Sequence, residues 1–246
     1  MLGIIDWGIG GISIYKLVKE QLGDVPVVYL SDTGATQYGK MARPELVERL
    51  NSVIDFLKLN GVTHLVIGCN AASTTVPFLN SNGIKIEGVI DTAVKVAAEA
   101  KPKSLGLIGG RRTVLSGVYR KAFSACGIEV KQRIAQPLSG LIESGDVSSD
   151  KLKTEAKRIL EPLRNCSHIL LACTHYPAIE PVLREFVSTD TMFIDPAASL
   201  VQIVKKWKLP EGGNDIFFTT GDAIQMKNSA RLAFQVRIGK AKKVTI

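Results

Sequence analysis

The chain has 246 residues, 46% hydrophobic and 22% charged, enough for one large or two modest domains with buried cores. No apolar run approaches the ~20 residues of a membrane-spanning helix. The first ten residues contain Asp6 and no basic segment, so no secretory leader is expected and the cytoplasm is the default location.

Taken in order, short apolar runs alternate with amphipathic helical stretches. Leu2–Asp6, Val25–Leu30, His64–Cys69 and Lys85–Ile90 read as strands of a first half. Leu105–Gly109, Glu129–Gln132, His168–Cys173 and Met192–Asp195 read as strands of a second. The clearest helix has Pro44 in its first turn and Leu46, Val47, Leu50, Val53, Ile54 and Leu57 on one face. Continuous apolar strands separated by helices predict an α/β fold with parallel sheets covered on both sides.

The halves resemble one another. Thr63–Cys69 matches Ser167–Cys173, and Ile90–Ala93 matches Ile194–Ala197, both at an offset of 104. Leu2–Ile5 matches Leu105–Ile108 at an offset of 103. Generic strands explain one such match, but not a shared His, a shared Cys and a shared spacing. The expectation is an internal duplication giving two similar α/β lobes, residues 1–92 plus 208–246 and residues 93–207, with a cleft between them. The run Ile216–Thr219 has no counterpart and is expected to return to the first lobe as an extra strand.

Ligands of open parallel sheets bind beyond the carboxyl ends of the strands, where Cys69 and Cys173 both fall. A helix start after each would favour thiolate. A lone buried cysteine is usually inert packing, whereas two at equivalent strand ends point to chemistry. Facing lobes would put one thiol on each side of a bound molecule. That suits inversion at a carbon, one thiolate removing a proton and the opposite thiol returning one. Asp6 ends the first strand and opens Trp7-Gly8-Ile9-Gly10-Gly11, whose backbone could approach a carboxylate or phosphate. Ser13 replaces the third glycine of the dinucleotide fingerprint. His175 lies two residues past Cys173 as a proton partner. Cys69, Cys173 and His175 could also ligate a metal, but no fourth ligand follows from the spacing, and no CxxC pair occurs. His64 and His168 are expected to pack away from the cleft.

The net charge is +8, and residues 201–246 hold nine Lys/Arg against three Asp/Glu. No recognition motif or aromatic platform accompanies this excess, so a basic surface is favoured over a nucleic-acid partner.

With these residues in view, the chain resembles the cofactor-independent glutamate racemases of the aspartate/glutamate racemase superfamily over nearly its full length. Ala172–Pro177 looks like the family's second cysteine motif, and Cys69–Ser73 like its first. Ile5–Gly11, Asp32-Thr33, Tyr38-Gly39, Gly106–Gly109 with Thr113 and Ser116-Gly117, residues 137–145, and Thr219–Asp222 match as well. The resemblance implies an amino-acid racemase that needs no cofactor and supplies D-glutamate for peptidoglycan. Cys69 would take the α-proton of the D-isomer, assisted by Asp6. Cys173 would take that of the L-isomer, assisted by Glu143 and His175. Tyr38, Gly39, Asn70 and Thr174 would hold a small acidic amino acid. Trp7 and Ala71 stand where the family pattern has a serine and a threonine that contact substrate, and Gln37 stands where it has a proline. A hydroxyl bonded to a charged ligand is worth about 1.5–3 kcal/mol. A racemase for another amino acid, and a non-catalytic homologue that binds an anion or a protein, are therefore the alternatives. The resemblance implies a homodimer without fixing its arrangement.

Overall fold

The computed structural model describes residues 1–246 as two parallel sheets wrapped by helices. The strands are β1 (Leu2–Asp6), β2 (Val27–Ser31), β3 (His64–Ile67), β4 (Lys85–Gly88), β5 (Leu105–Gly109), β6 (Val130–Ile134), β7 (His168–Ala172), β8 (Met192–Ile194), β9 (Ile216–Thr219) and β10 (Ala241–Lys243). The first sheet runs β10-β9-β2-β1-β3-β4 and the second β6-β5-β7-β8. Every residue of β1, β2 and β5 is buried, as strands covered by helices on both faces must be.

The duplication is visible in the strand pairing. The order β2-β1-β3-β4 recurs as β6-β5-β7-β8. Leu2 pairs with Val27 and His64, and Leu105 pairs with Val130 and His168. The residues matched in sequence thus occupy the same rungs of two sheets. β9 pairs in parallel with β2, so the unmatched run does return to the first sheet, and β10 extends that edge beyond it.

The helix Arg43–Leu59 covers one face of the first sheet through Leu46, Leu50, Val53, Ile54 and Leu57. Each such side chain contributes about 1.5–3 kcal/mol on burial. Two other helices exchange sides. Val89–Glu99 follows β4 of the first sheet but places Ile90, Ala93 and Ala97 in the core of the second. Ala197–Lys205 follows β8 of the second sheet but places Ala197, Leu200, Val201 and Val204 in the core of the first. Each sheet is therefore covered partly by a helix that the other sheet's last repeated strand supplies. This reciprocal exchange fixes the two sheets relative to one another.

His64 and His168 begin their strands, at the end of each sheet away from the cysteines. His64 packs against Trp207, with ring centroids 5.1 Å apart, and His168 Nδ1 lies 3.1 Å from Ser167 Oγ.

Candidate active site

Several chain segments from both sheets converge on one cleft. Asp6 and Trp7 leave β1, Cys69–Ala71 follow β3, Gly110 and Thr113 follow β5, Gln136 and Ser139 follow β6, and Ala172–His175 close β7. Gln37, Tyr38 and Gly39 come from the loop after β2. The empty volume, counted out to open solvent, is about 440 Å³. Cys69 and Cys173 both line it as free, half-buried thiols.

The glycine loop after β1 has a definite task here. Ile9 N donates to Glu143 Oε2 over 2.9 Å, so the backbone does approach a carboxylate, one belonging to the other lobe. A Cβ on Gly8 would lie 2.0 Å from Glu143 Oε2, and one on Gly10 would lie 2.3 Å from Thr174 Oγ1. Both positions must lack a side chain for the second lobe to dock. Thr174 Oγ1 then donates to Asp6 Oδ2 over 2.6 Å, and Trp7 N donates to Asp6 Oδ1 over 2.7 Å.

Glu143, His175 and Cys173 form a chain. His175 Nε2 and Glu143 Oε2 are 2.7 Å apart, and His175 Nδ1 lies 3.7 Å from Cys173 Sγ. Glu143 and His175 are both buried. Burial alone would lower the histidine's pKa, but its hydrogen bonds to Cys173 and Glu143 outweigh this and hold it well above the ordinary value. A histidine raised in the folded state adds stability that is full below its unfolded pKa and is lost as pH rises through the folded one. The stability difference between the parent and His175→Asn should therefore be greatest in mild acid and shrink as pH rises into the alkaline range. Denaturant unfolding at a series of pH values checks this, and a pH-independent difference would contradict it.

Cys69 departs from the sequence expectation of a thiolate. Loss of solvent, then the nearby Asp6, push its pKa well above the ordinary thiol value. The N–H groups of Ala72 and Ala71 act in the expected opposite direction and are outweighed. The helix behind Cys69, Asn70–Ser73, spans only four residues, so few aligned peptides stand against that burial. Burial also raises Asp6, against the opposing pull of His175 and the hydrogen bond from Thr174. Two acids of raised pKa thus stand together on this side of the cleft.

The remaining positions differ in what they offer a ligand. The Tyr38 hydroxyl donates to Asp32 Oδ2 over 2.7 Å, and Asp32 in turn holds Arg49, so toward the cleft Tyr38 is mainly a wall. Gly39 lies so close to Gln136 that a Cβ would sit 2.7 Å from its Oε1. Asn70 Oδ1 accepts from the buried Tyr119 hydroxyl over 2.6 Å, a bond between lobes that fixes the amide. Ala71 adds no polar side-chain atom. The Trp7 ring is pinned by its Nε1, which donates to Ala35 O over 3.1 Å. Gln136, Ser139 and Tyr119 were not singled out from the sequence. Gln136 lies just past β6, and the rule that placed the cysteines at strand ends would have found it had the end of β6 been read two residues later. Tyr119 reaches the site from a helix, and only tertiary packing brings it there. Three or more His, Cys, Asp or Glu side chains nowhere gather into a metal-holding group, and no helix is long and apolar enough to cross a membrane.

The family model for Asp/Glu/Hydantoin racemases matches residues 2–204. The chain belongs to this racemase family. Relatives within it include the glutamate racemase of Synechococcus sp. (strain CC9605), 34% identical over 209 residues, or 82% of this chain and 77% of the relative. That of Aquifex aeolicus is 30% identical over 224 residues, or 89% and 88%. Among solved structures, a glutamate racemase from Francisella tularensis in complex with D-glutamate superposes with a TM-score of 0.89 at 22% identity. It covers 99% of this chain and 97% of its own. A racemase of this family works on an asymmetric carbon, and this member presents two thiols, one from each sheet, to a common space.

Proposed function

We propose that the protein interconverts L- and D-glutamate by proton transfer between two cysteines, without a cofactor. One observation carries the reading: equivalent ends of two duplicated sheets bring Cys69 and Cys173 to one cleft, each with its own acidic support. The names of the relatives support glutamate as substrate, and so does the D-glutamate bound to the Francisella tularensis enzyme.

In this reading Cys69, as thiolate, takes the α-proton from D-glutamate while Cys173, as thiol, gives a proton to the opposite face. One C–H bond breaks and one forms, and the thiols end with their protonation exchanged. The reverse step begins from the opposite state. Asp6 is the group beside Cys69 that accepts its proton, and the Glu143–His175 pair does so for Cys173. Asn70, Thr174 and the backbone around Gly39 hold the substrate. Charge developing at the α-carbon spreads into the α-carboxylate, where the Asn70 Nδ2 group is a donor, its Oδ1 being held by Tyr119. The product would be D-glutamate for peptidoglycan, made in the cytoplasm, and a homodimer is the assembly we expect. Incubation of D-glutamate with the protein in deuterated solvent should give L-glutamate carrying deuterium at the α-carbon. Binding without exchange or inversion would instead favour a non-catalytic homologue.

A second reading keeps the reaction and changes the amino acid. It is favoured by the pinned indole of Trp7 and by Ala71, which together replace two hydroxyls by apolar surface. Ala71→Thr discriminates. If glutamate is the substrate, the added hydroxyl should lower KM for glutamate about tenfold without lowering kcat. A raised KM for glutamate would mean that the pocket is shaped for a less polar side chain.

A further inference from the structure

The site between the thiols is poor in positive charge. No Lys or Arg lines it, its lining includes the buried carboxyl of Asp6, and the buried carboxylate of Glu143 stands against the lining residue His175. The one cation that lines it, His175, is paired with Glu143 at 2.7 Å. Immediately outside lies a second, larger cleft, about 1410 Å³ counted out to open solvent in the same way, and Gly39 lines both. Five cations line this outer cleft, Lys40, Arg43, Arg111, Arg112 and Lys121, and no Asp or Glu does. They come from both lobes. None of the five takes part in an ion pair.

Two of them are held in place. Arg112 spans the lobes, its Nε donating to Thr74 Oγ1 over 3.0 Å and its Nη1 to Met41 O over 2.9 Å. Burial, and then the nearby Arg43, lower its pKa. Arg43 lies over the exposed Phe78 ring, 4.7 Å from the centroid. Packing cations together without counter-ions costs stability, so a surface of this kind calls for a function. Arg111 follows Gly110 directly, and Lys40 follows Gly39, so the charges lead to the residues that line the inner site.

We propose that this outer cleft is the vestibule of the active site and that its charge recruits the acidic amino acid, which then passes Gly39 into the cation-poor space between the thiols. The inference rests on the proposed reaction for the identity of the ligand. It assigns the step of capture to residues that take no part in proton transfer. Clefts lined by one sign of charge raise association rates by 10- to 1000-fold, and salt abolishes the effect as the Debye length falls from about 30 Å at 0.01 M to about 3 Å at 1 M.

Rapid-mixing fluorescence of Trp7, in the full chain carrying Trp207→Phe, times the arrival of D-glutamate. The association rate should fall about tenfold between 10 mM and 500 mM salt. Adding Arg43→Gln and Lys121→Gln should lower it about as much at 10 mM salt and remove most of the salt dependence, whereas Arg43→Lys should preserve both. In steady-state turnover the double change should lower kcat/KM with kcat unchanged. An association rate that moves less than twofold with salt and in the double variant overturns the vestibule, whether or not the protein turns over. Salt-sensitive association without any racemisation sustains the vestibule and removes the proposed reaction. Failure of D-glutamate to bind removes both.

Discussion

Cys173→Ala should lower the interconversion of L- and D-glutamate by about 10³-fold or more, since loss of a positioned acid or base costs 10²- to 10⁴-fold. The informative part is an asymmetry. Cys69 remains in that variant and can still take the α-proton of D-glutamate and return it to the same face. D-glutamate should therefore exchange its α-hydrogen with deuterated solvent while keeping its configuration, and L-glutamate should not exchange. Cys69→Ala should show the mirror pattern. Proton NMR of the α-position, with a chiral assay of the same samples, measures both. The partner of each thiol shapes the outcome. Cys69 lies beside Asp6, whose own pKa is raised, and Cys173 lies against a histidine held above its ordinary value. Racemisation within tenfold of the parent in either single variant would sink the two-thiol mechanism.

Gly8→Ala is expected to be nearly as harmful, although Gly8 carries no functional group. The added Cβ would lie 2.0 Å from Glu143 Oε2, 2.4 Å from Cδ and 2.7 Å from Oε1. Those atoms cannot retreat freely, because the same oxygen accepts from Ile9 N and bonds His175. Forcing the carboxylate aside breaks one or both bonds inside a buried site. The expected cost is about 2 kcal/mol of stability, the usual range for overpacking, and about a 10²-fold loss of kcat. Overpacking alone would not explain the loss if a shorter acid restores it. Glu143→Asp in the Gly8→Ala background withdraws the carboxylate by one methylene, and should recover part of the activity that Gly8→Ala removes. No recovery of kcat alongside recovered stability would mean that Glu143 does not act through His175.

Much of this architecture was legible because local physics and repetition agree. The apolar strands are buried on both faces, so they read as continuous runs. The helix Arg43–Leu59 announces itself by period and by Pro44. Strand ends were read less well. β3 and β7 stop before their cysteines, and β4 stops at Gly88, where the backbone turns directly into a helix. β10 is three residues long, two of them lysines, and an edge strand of that kind has no apolar pattern to betray it.

By itself the sequence determined that there are two related halves, that their strand ends carry the cysteines, that Asp6 ends the first strand and that His175 lies two residues past Cys173. Those facts follow from patterns of a few residues and from a spacing. Tertiary structure decided the rest. It set Glu143 against Gly8 and Ile9, tied Tyr119 to Asn70, exchanged two helices between the sheets and gathered five cations outside the thiols. Each of these joins residues far apart in the chain, and a contact of that kind leaves no period to read. The cysteines show the difference most plainly: their positions are local, but whether a thiol is charged depends on burial and neighbours that only the closed cleft supplies.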